Sequence, residues 1–436
     1  MAASATEGTG PVARDPETTV VVTGLAVLSP IGTTVETFWR SALEGVVGTG
    51  PLTRPDAADF PAALAGEVPG FDAPRGRGDR SARLAVAAAS AAAADAGLDG
   101  GLTDPYRTGV CLGTLLGNRA GLEPAVTAFH RAAAGGTPVP DGGLPTPTGA
   151  PIVDLADAVG RHLGAWGPSL VVGTACASGN SALAHAADTI RAGRADVMLA
   201  GGVDELSSGV MTMFAGLRSL APDALRPFDR DRAGLVVSEG AAVLVLESAA
   251  HARRRGARVW AELAGWASAA DAHHMTAPHP EGRGAVLSMG RALARAGIAP
   301  ESVDHISAHG TGTPSNDRVE ALAIREVFGG HAPAVTSLKG ALGHTQGAAS
   351  AIEAVACVLA LRDGVVPPTA NLNVLDPQCP VDVIRGAARE LPVRVAVNNA
   401  FGFGGNTACT VFTRPDFSRP CSARPVRTTT PAGSTR

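Results

Sequence analysis

Beyond residue 18 the chain alternates short apolar runs with longer segments of helical period. Residues 20–32 read VVVTGLAVLSPIG, a β-branched run that predicts a strand, then a loop punctuated by Gly24, Pro30 and Gly32. A helix is expected to start over residues 38–43, and an Ala-rich helix over 83–96 stops at Gly97. Residues 109–117 predict a short strand with a Gly-rich turn, 133–151 a loop rich in Gly, Pro and Thr, and 169–172 an apolar strand. That strand runs into TACASG and a helix over 178–192, followed by strands at 196–202 and 241–247. Further on, helices are predicted over 285–296, 318–328 and 347–362, and strands at 303–308, 393–398 and 408–412.

Strands that keep alternating with helices argue for α/β layers with both sheet faces covered. The expected division is a disordered leader over 1–17, a first half over 18–258, a second half over 259–414, and a polar, Pro-rich tail over 415–436. Each half offers several β-α alternations, so a duplicated fold is expected, although no residue-level repeat stands out.

Composition narrows this picture. The 436 residues are 45% hydrophobic and 17% charged, which fits a large buried interior. A net charge of −4 without a basic stripe argues against nucleic acid as a partner. No apolar run reaches the ~18 residues of a membrane span, and residues 1–19 lack the apolar core of a signal peptide. The 6 cysteines form no CxxC pair, which argues against a disulfide framework or a zinc site and makes the cytoplasm the expected compartment.

Cys176 sits between a strand and a helix in GTACASG. A thiol at a helix N-terminus feels the positive end of the dipole and free N–H groups, and both favour thiolate. Its small neighbours leave room for a substrate to reach sulfur. The alternative is a buried, inert cysteine. Cys111, Cys357, Cys379 and Cys409 are expected in the core and Cys421 in the tail.

His309 ends a strand and opens into GTGTP; His344 lies in KGALGHTQGAA. Either alone could be structural. Two histidines in Gly-rich strand-end loops, beside a candidate cysteine, point to chemistry. Glu353 lies in an apolar helix and needs a partner, for which Lys339 is the expected one; a partly exposed Glu is the alternative. His273, His274 and His279 cluster in DAHHMTAPHPEG without supporting carboxylate or Cys spacing, so no metal is expected and a substrate-entrance loop is the better reading. Near the end, NNAFGFGGN could present backbone N–H groups to an oxyanion. A plain tight turn is the alternative, and no phosphate-binding motif accompanies it.

In this order, GTACASG, AHGTGTPSND, KGALGHTQGAA and NNAFGFGGN resemble the motifs of elongating β-ketoacyl-acyl carrier protein synthases, and especially ketosynthase α subunits of type II polyketide pathways. The resemblance runs over about residues 20–414. It implies a thiolase fold of five layers, α-β-α-β-α, from two similar halves. It implies Cys176 as the nucleophile that takes an acyl group, and His309 and His344 as donors to a malonyl thioester that stabilise the enolate as CO₂ leaves. It further implies an oxyanion hole from the backbone N–H groups of Cys176 and Phe401, Phe401 as a gating aromatic, Lys339 with Glu353 as the support of His344, and Thr311 and Thr313 on the pantetheine arm. Thr276 belongs to the entrance loop.

No cofactor is implied, because decarboxylation itself generates the carbanion. The implied partners are acyl carrier protein and a second subunit, giving either a homodimer or a heterodimer with a chain-length-factor-like chain. The sequence departs from the family at Ala233, Leu235, Ser238 and Ser350, and Leu115-Leu116 matches the region that sets acyl pocket depth; these predict an altered pocket rather than an altered reaction. A thiolase would need a second Cys in a CxGxG setting, which Cys409 lacks. An initiating synthase would pair one His with Asn, and a chain-length factor would lack Cys176. A cysteine protease would leave the HGTGTP and GHTQGAA loops unexplained.

Overall fold

In the computed structural model, residues 15–53, 62, 64–71, 80–117, 123 and 154–417 are described. The first strands are β1 (Val20–Leu28), β2 (Thr49–Pro51), β3 (Leu64–Gly66), β4 (Thr108–Gly113), β5 (Ser169–Val172), β6 (Val197–Asp204) and β7 (Gly240–Ser248). The remaining strands are β8 (Ala261–Ala270), β9 (His305–Ser307), β10 (Ala334–Thr336), β11 (Val365–Val366), β12 (Arg389–Glu390), β13 (Val395–Gly402) and β14 (Asn406–Thr413). Ten of them run in the order β10-β9-β13-β14-β8-β1-β7-β6-β4-β5.

Read outward from the centre, both wings repeat one pattern. β1 pairs antiparallel with β7, β7 antiparallel with β6, and β6 and β5 parallel with β4. In the other wing β8 pairs antiparallel with β14, β14 antiparallel with β13, and β13 and β10 parallel with β9. Only Val21 and Val22 pair across the junction, with Glu262 and Ala261.

Helix positions follow from their apolar faces. Arg80–Asp95 and Asp154–Leu163 cover the outer face of the first wing, and Arg283–Ala296 with Pro314–Phe328 that of the second. Between the wings lie Ser178–Arg191 and Ala349–Asp363. Every residue of the latter from Ala349 to Leu361 is buried, which is what a helix apolar all round requires. The result is the five-layer α-β-α-β-α arrangement that the resemblance implied.

The repeat that escaped the sequence reading is carried by close approach. A Cβ on Gly24 of β1 would collide with the Ala92 carbonyl and the Ala96 methyl; a Cβ on Gly265 of β8 would collide with the Ala292 carbonyl and the Ala296 methyl. Each wing seats its outer helix on a strand glycine.

The ends differ slightly from expectation. Residues 15–17 form a turn whose Pro16 carbonyl accepts from Ala250 N at 3.0 Å, so ordered backbone begins before Thr18. Phe417 packs against the second wing's core beyond the expected boundary at Arg414. The loop expected over 133–151, Cys421, and most of the leader and tail lie outside the described residues.

Candidate active site

Cys176 is the middle residue of the 3₁₀ turn Ala175–Ala177, between β5 and the Ser178–Arg191 helix. Ala175 is held at φ 52°, a left-handed conformation that a residue with a Cβ adopts under strain. Ser178 holds the bend: its hydroxyl accepts from Thr174 N at 2.9 Å and donates to the Ala175 carbonyl at 2.5 Å.

Two histidines converge on the sulfur. His344 follows Gly343, at φ 72°, and is pinned on both sides: its N–H donates to the Val236 carbonyl at 2.7 Å and its carbonyl accepts from Ser238 N at 2.9 Å. This brings His344 Nε2 to 3.0 Å from Cys176 Sγ. His309 lies just beyond β9, its ring 5.6 Å from that of His344 and 5.5 Å from that of Phe401. His309 makes no contact with the thiol of the kind His344 makes.

Lys339 donates to Glu353 Oε1 at 2.5 Å with both side chains 1% exposed, so the pair expected from sequence is present, behind His344 rather than in the cavity. The carboxylate of Glu320 was missed. It accepts from His309 N and Gly310 N, each at 2.8 Å, and so fixes the second histidine's backbone. The available signal was an acidic residue in the apolar stretch VEALAI, eleven positions after His309.

A cavity of about 200 Å³ is lined at its buried end by Cys176, His309 and His344, with half-buried Phe401 beside them. Thr276, Thr311, Thr313 and Leu235 also line it, with exposed Ala277 and Ser315 at the rim. The Thr311 and Thr313 hydroxyls are 2.9 Å apart. Leu116 does not line the cavity. It packs in the apolar cluster behind, with Phe214 and Leu235. Phe214 and Phe403, tilted rings with centroids 5.7 Å apart, are further cavity aromatics that sequence reasoning did not single out.

Two departures have clear settings. Ser350 Oγ accepts from Asn180 N at 2.9 Å behind the cysteine turn. Ser238 Oγ fills space that exists because residues 66 and 343 are glycines. The entrance loop is tied in by Gly404 N, which donates to the Met275 carbonyl at 2.7 Å. His273 and His279 meet edge to face at 5.0 Å; among the described residues, no group of three or more metal-ligand side chains could hold an ion.

The thiol corrects one expectation. The helix N-terminus led us to expect a lowered thiol pKa. Burial instead pushes Cys176 up to about 12, with only partial opposition from the charge of Lys339, which Glu353 neutralises. Burial, reinforced by the Lys339 charge, holds both His309 and His344 well below the usual imidazole range. The resting site is therefore a thiol beside a neutral imidazole, which has a lone pair to receive the thiol proton.

Comparison with known proteins identifies this architecture. The profile "Beta-ketoacyl synthase, N-terminal domain" matches residues 17–252, and "Beta-ketoacyl synthase, C-terminal domain" matches 260–373. The chain is 42% identical over 402 residues to Nodulation protein E of Rhizobium sp. (strain N33), covering 90% of this chain and 98% of that protein. It is 39% identical over 410 residues to 3-oxoacyl-[acyl-carrier-protein] synthase 2 of Synechocystis sp. (strain ATCC 27184 / PCC 6803 / Kazusa), covering 90% and 97%.

Among solved structures, the ishigamide ketosynthase/chain length factor matches with a TM-score of 0.84 and 37% identity over 91% of this chain and 99% of that one. A type II polyketide ketosynthase in complex with its acyl-carrier protein, AntDE:AntF, matches with a TM-score of 0.83 and 33% identity over 91% and 99%. With a buried thiol, two neutral imidazoles and this fold, the chain belongs to the β-ketoacyl synthase family: it is an acyl-transferring condensing enzyme of the fatty-acid and polyketide type.

Proposed function

We propose that Cys176 carries the growing acyl group and that His309 and His344 divide the proton and electrostatic work of a decarboxylative condensation. The observation that carries this reading is the 3.0 Å approach of His344 Nε2 to Cys176 Sγ at the buried end of the cavity. In the first half-reaction the thiol gives its proton to His344 Nε2 as sulfur attacks the acyl thioester carbonyl. The oxyanion meets the N–H groups of Cys176 and Phe401. The tetrahedral intermediate then collapses, and the leaving carrier thiolate takes the proton back from His344.

In the second half-reaction a malonyl thioester enters the same cavity. Its carboxylate leaves as CO₂, and the electron pair becomes an enolate whose oxygen is held by an N–H donor from His309 and by His344 in its Nε2–H tautomer. His344 adopts that tautomer once the sulfur is acylated and Nε2 is no longer the acceptor of the thiol proton. The enolate carbon attacks the acyl carbonyl on Cys176. The C–S bond breaks, the β-ketoacyl chain stays on the carrier, and the thiolate that leaves takes up one proton from solvent. Neutral imidazoles suit this step because they donate a hydrogen bond without requiring an acidic solution.

Thr311, Thr313 and Thr276 would take the polar pantetheine arm, and Leu235, with Leu116 behind it, would shape the acyl end. Lys339 with Glu353 would keep the His344 segment in place, and Phe401 would gate the thiol. The substrates are delivered on the phosphopantetheine of an acyl carrier protein, with no further cofactor, in the cytoplasm. The second subunit, a copy of this chain or a chain-length-factor-like partner, would pair along β5. That strand is an edge of the sheet, with its Leu170 38% exposed and Trp166, just before it, 61% exposed.

Incubation of wild type and Cys176→Ala with acyl carrier proteins of different chain lengths, read by intact mass, tests the assignment. An acyl adduct is expected on wild type alone. An adduct of equal yield on the variant would overturn it. An adduct that forms only after a chain-length-factor-like chain is added would select the heterodimer.

A further inference from the structure

The turn that carries the nucleophile has a twin. The Ser178–Arg191 helix follows the turn Ala175–Ala177, and the Ala349–Asp363 helix follows the turn Gln346–Ala348. Both turns open on a strained residue, Ala175 at φ 52° and Gln346 at φ 56°. Cys176 is the second residue of one, and Gly347 the second of the other. Each faces the last residue of an eight-residue strand: Gly402 ends β13 and Asp204 ends β6.

The two copies differ in what fills the space between turn and strand. A Cβ on Gly402 would stand 3.0 Å from the Cys176 nitrogen and 2.7 Å from the Thr174 carbonyl oxygen, so glycine leaves the N–H of Cys176 open to a substrate. At Asp204 the side chain is present and reaches the matching N–H: Oδ2 accepts from Gly347 N at 2.6 Å. The same oxygen accepts from Leu115 N at 2.8 Å, and Oδ1 accepts from the Thr114 hydroxyl at 2.6 Å. A backbone bend that would receive an oxyanion in one wing holds a carboxylate of the chain itself in the other.

We infer that Asp204 fills the second copy of the oxyanion pocket and is a positioning residue, clamping the 344–347 segment that carries His344 to the 114–116 segment behind the acyl cavity. The inference rests on the proposed roles of Cys176 and His344. Its geometric basis is independent of them: three donors from two separate loops converge on one buried carboxylate, 2% exposed. Gly347 lies three residues after His344, and Leu116 packs with Phe214 and Leu235, which line the cavity. A shift of the clamp therefore moves a reacting group and the acyl wall together.

Asp204 also acts on the thiol through space. Its negative charge opposes ionisation of Cys176, as does Glu353, while Lys339 favours it. Burial pushes the Asp204 carboxyl itself up to about 7 against the hydrogen bonds that it accepts. Removing the charge should make the thiol easier to ionise while loosening the site; because loosening alone also solvates a buried thiol, a variant that loses an arm of the clamp but keeps the charge separates the two effects.

The test compares Asp204→Asn and Thr114→Val with wild type. Alkylation by iodoacetamide is followed at Cys176 alone by peptide mapping across pH 6–10, alongside turnover with acyl- and malonyl-loaded carrier protein and thermal unfolding. For Asp204→Asn the expected result is Cys176 alkylation about threefold faster at pH 8, half a logarithmic unit, with turnover reduced at least about tenfold. Thr114→Val keeps the charge and loses one arm of the clamp, so turnover and primer preference should change while the alkylation profile stays put. If both variants alkylate as wild type does and lose turnover only in proportion to the unfolded fraction, Asp204 is a structural carboxylate and the inference fails. If wild type shows no acyl adduct on Cys176 even with a chain-length-factor-like chain added, the proposed function has failed instead.

Discussion

At the scale of single residues, contact and burial assign unequal work to the two histidines. His344 touches the sulfur and His309 does not. His344→Ala should therefore slow acylation of Cys176 as well as condensation, whereas His309→Ala should still form the acyl adduct and lose malonyl decarboxylation. Each loss is expected at about 10²–10³-fold, the cost of deleting one preorganised donor; single-turnover mass spectrometry and CO₂ release separate the two. Burial also places opposing proton linkages in one pH window. The Glu320 carboxyl is raised from 4.5 to about 7 by burial, against the Gly310 and His309 N–H groups. Between those values the folded protein holds a proton that the unfolded chain has released, so the Glu320 contribution to stability falls as pH rises through the window. Buried His305, lowered to about 3, works the other way: its contribution is lost as pH drops below 6.5. Replacing Glu320 by Gln isolates the carboxylate. The melting temperature of the variant minus that of wild type should increase from pH 4.5 to 7 by roughly 2 °C or more, and a flat difference would refute the linkage.

At the scale of elements, the site depends on where strands end and turns begin. Gly402 has φ −125°, a conformation open to any residue, so its lack of a side chain serves space rather than backbone freedom. Gly402→Ala would press a methyl toward the Cys176 nitrogen and the Thr174 carbonyl. We expect turnover to fall at least about 10²-fold, with thermal stability lowered by overpacking worth about 1–3 kcal/mol; retained turnover would mean that the N–H of Cys176 is not used. Much at this scale was legible in the sequence. Alternating β-branched and Ala-rich runs predicted the strand–turn–helix around Cys176, and Gly-rich loops marked His309 and His344, although His344, expected after a strand, follows the short helix Lys339–Leu342. Two things were not legible. The argument for a thiolate took the helix terminus as solvated, whereas the fold buries it, and desolvation raises the thiol against the opposing charge of Lys339. Glu320 and Asp204 looked like ordinary helix and strand-end acids, because their donors are backbone N–H groups brought in by tertiary contact.

For the whole molecule, duplication was expected from the count of β-α alternations, yet no residue repeat showed. The reason is physical. The wings are matched in pairing direction and in glycine-to-helix contacts, as at Gly24 and Gly265, and these constrain size rather than identity. A second consequence concerns assembly. β5 presents an edge with Leu170 exposed, and bare edges invite pairing. On the proposed pairing along β5, Leu170→Asp should shift the protein toward monomer in sedimentation or light scattering; an association state unchanged by the substitution would refute that pairing. The central helix carries one more implication, for the order of synthesis. Ala349–Asp363 packs against β6 and β7 of the first wing as well as β13 of the second. The first wing thus leaves the ribosome with part of its inner face bare, and its core closes only after residue 363 has been made. From the completion of β7 at residue 248 until residue 363 has been made, this chain is a nascent protein with an open sheet, the kind of exposed apolar face that invites misassociation.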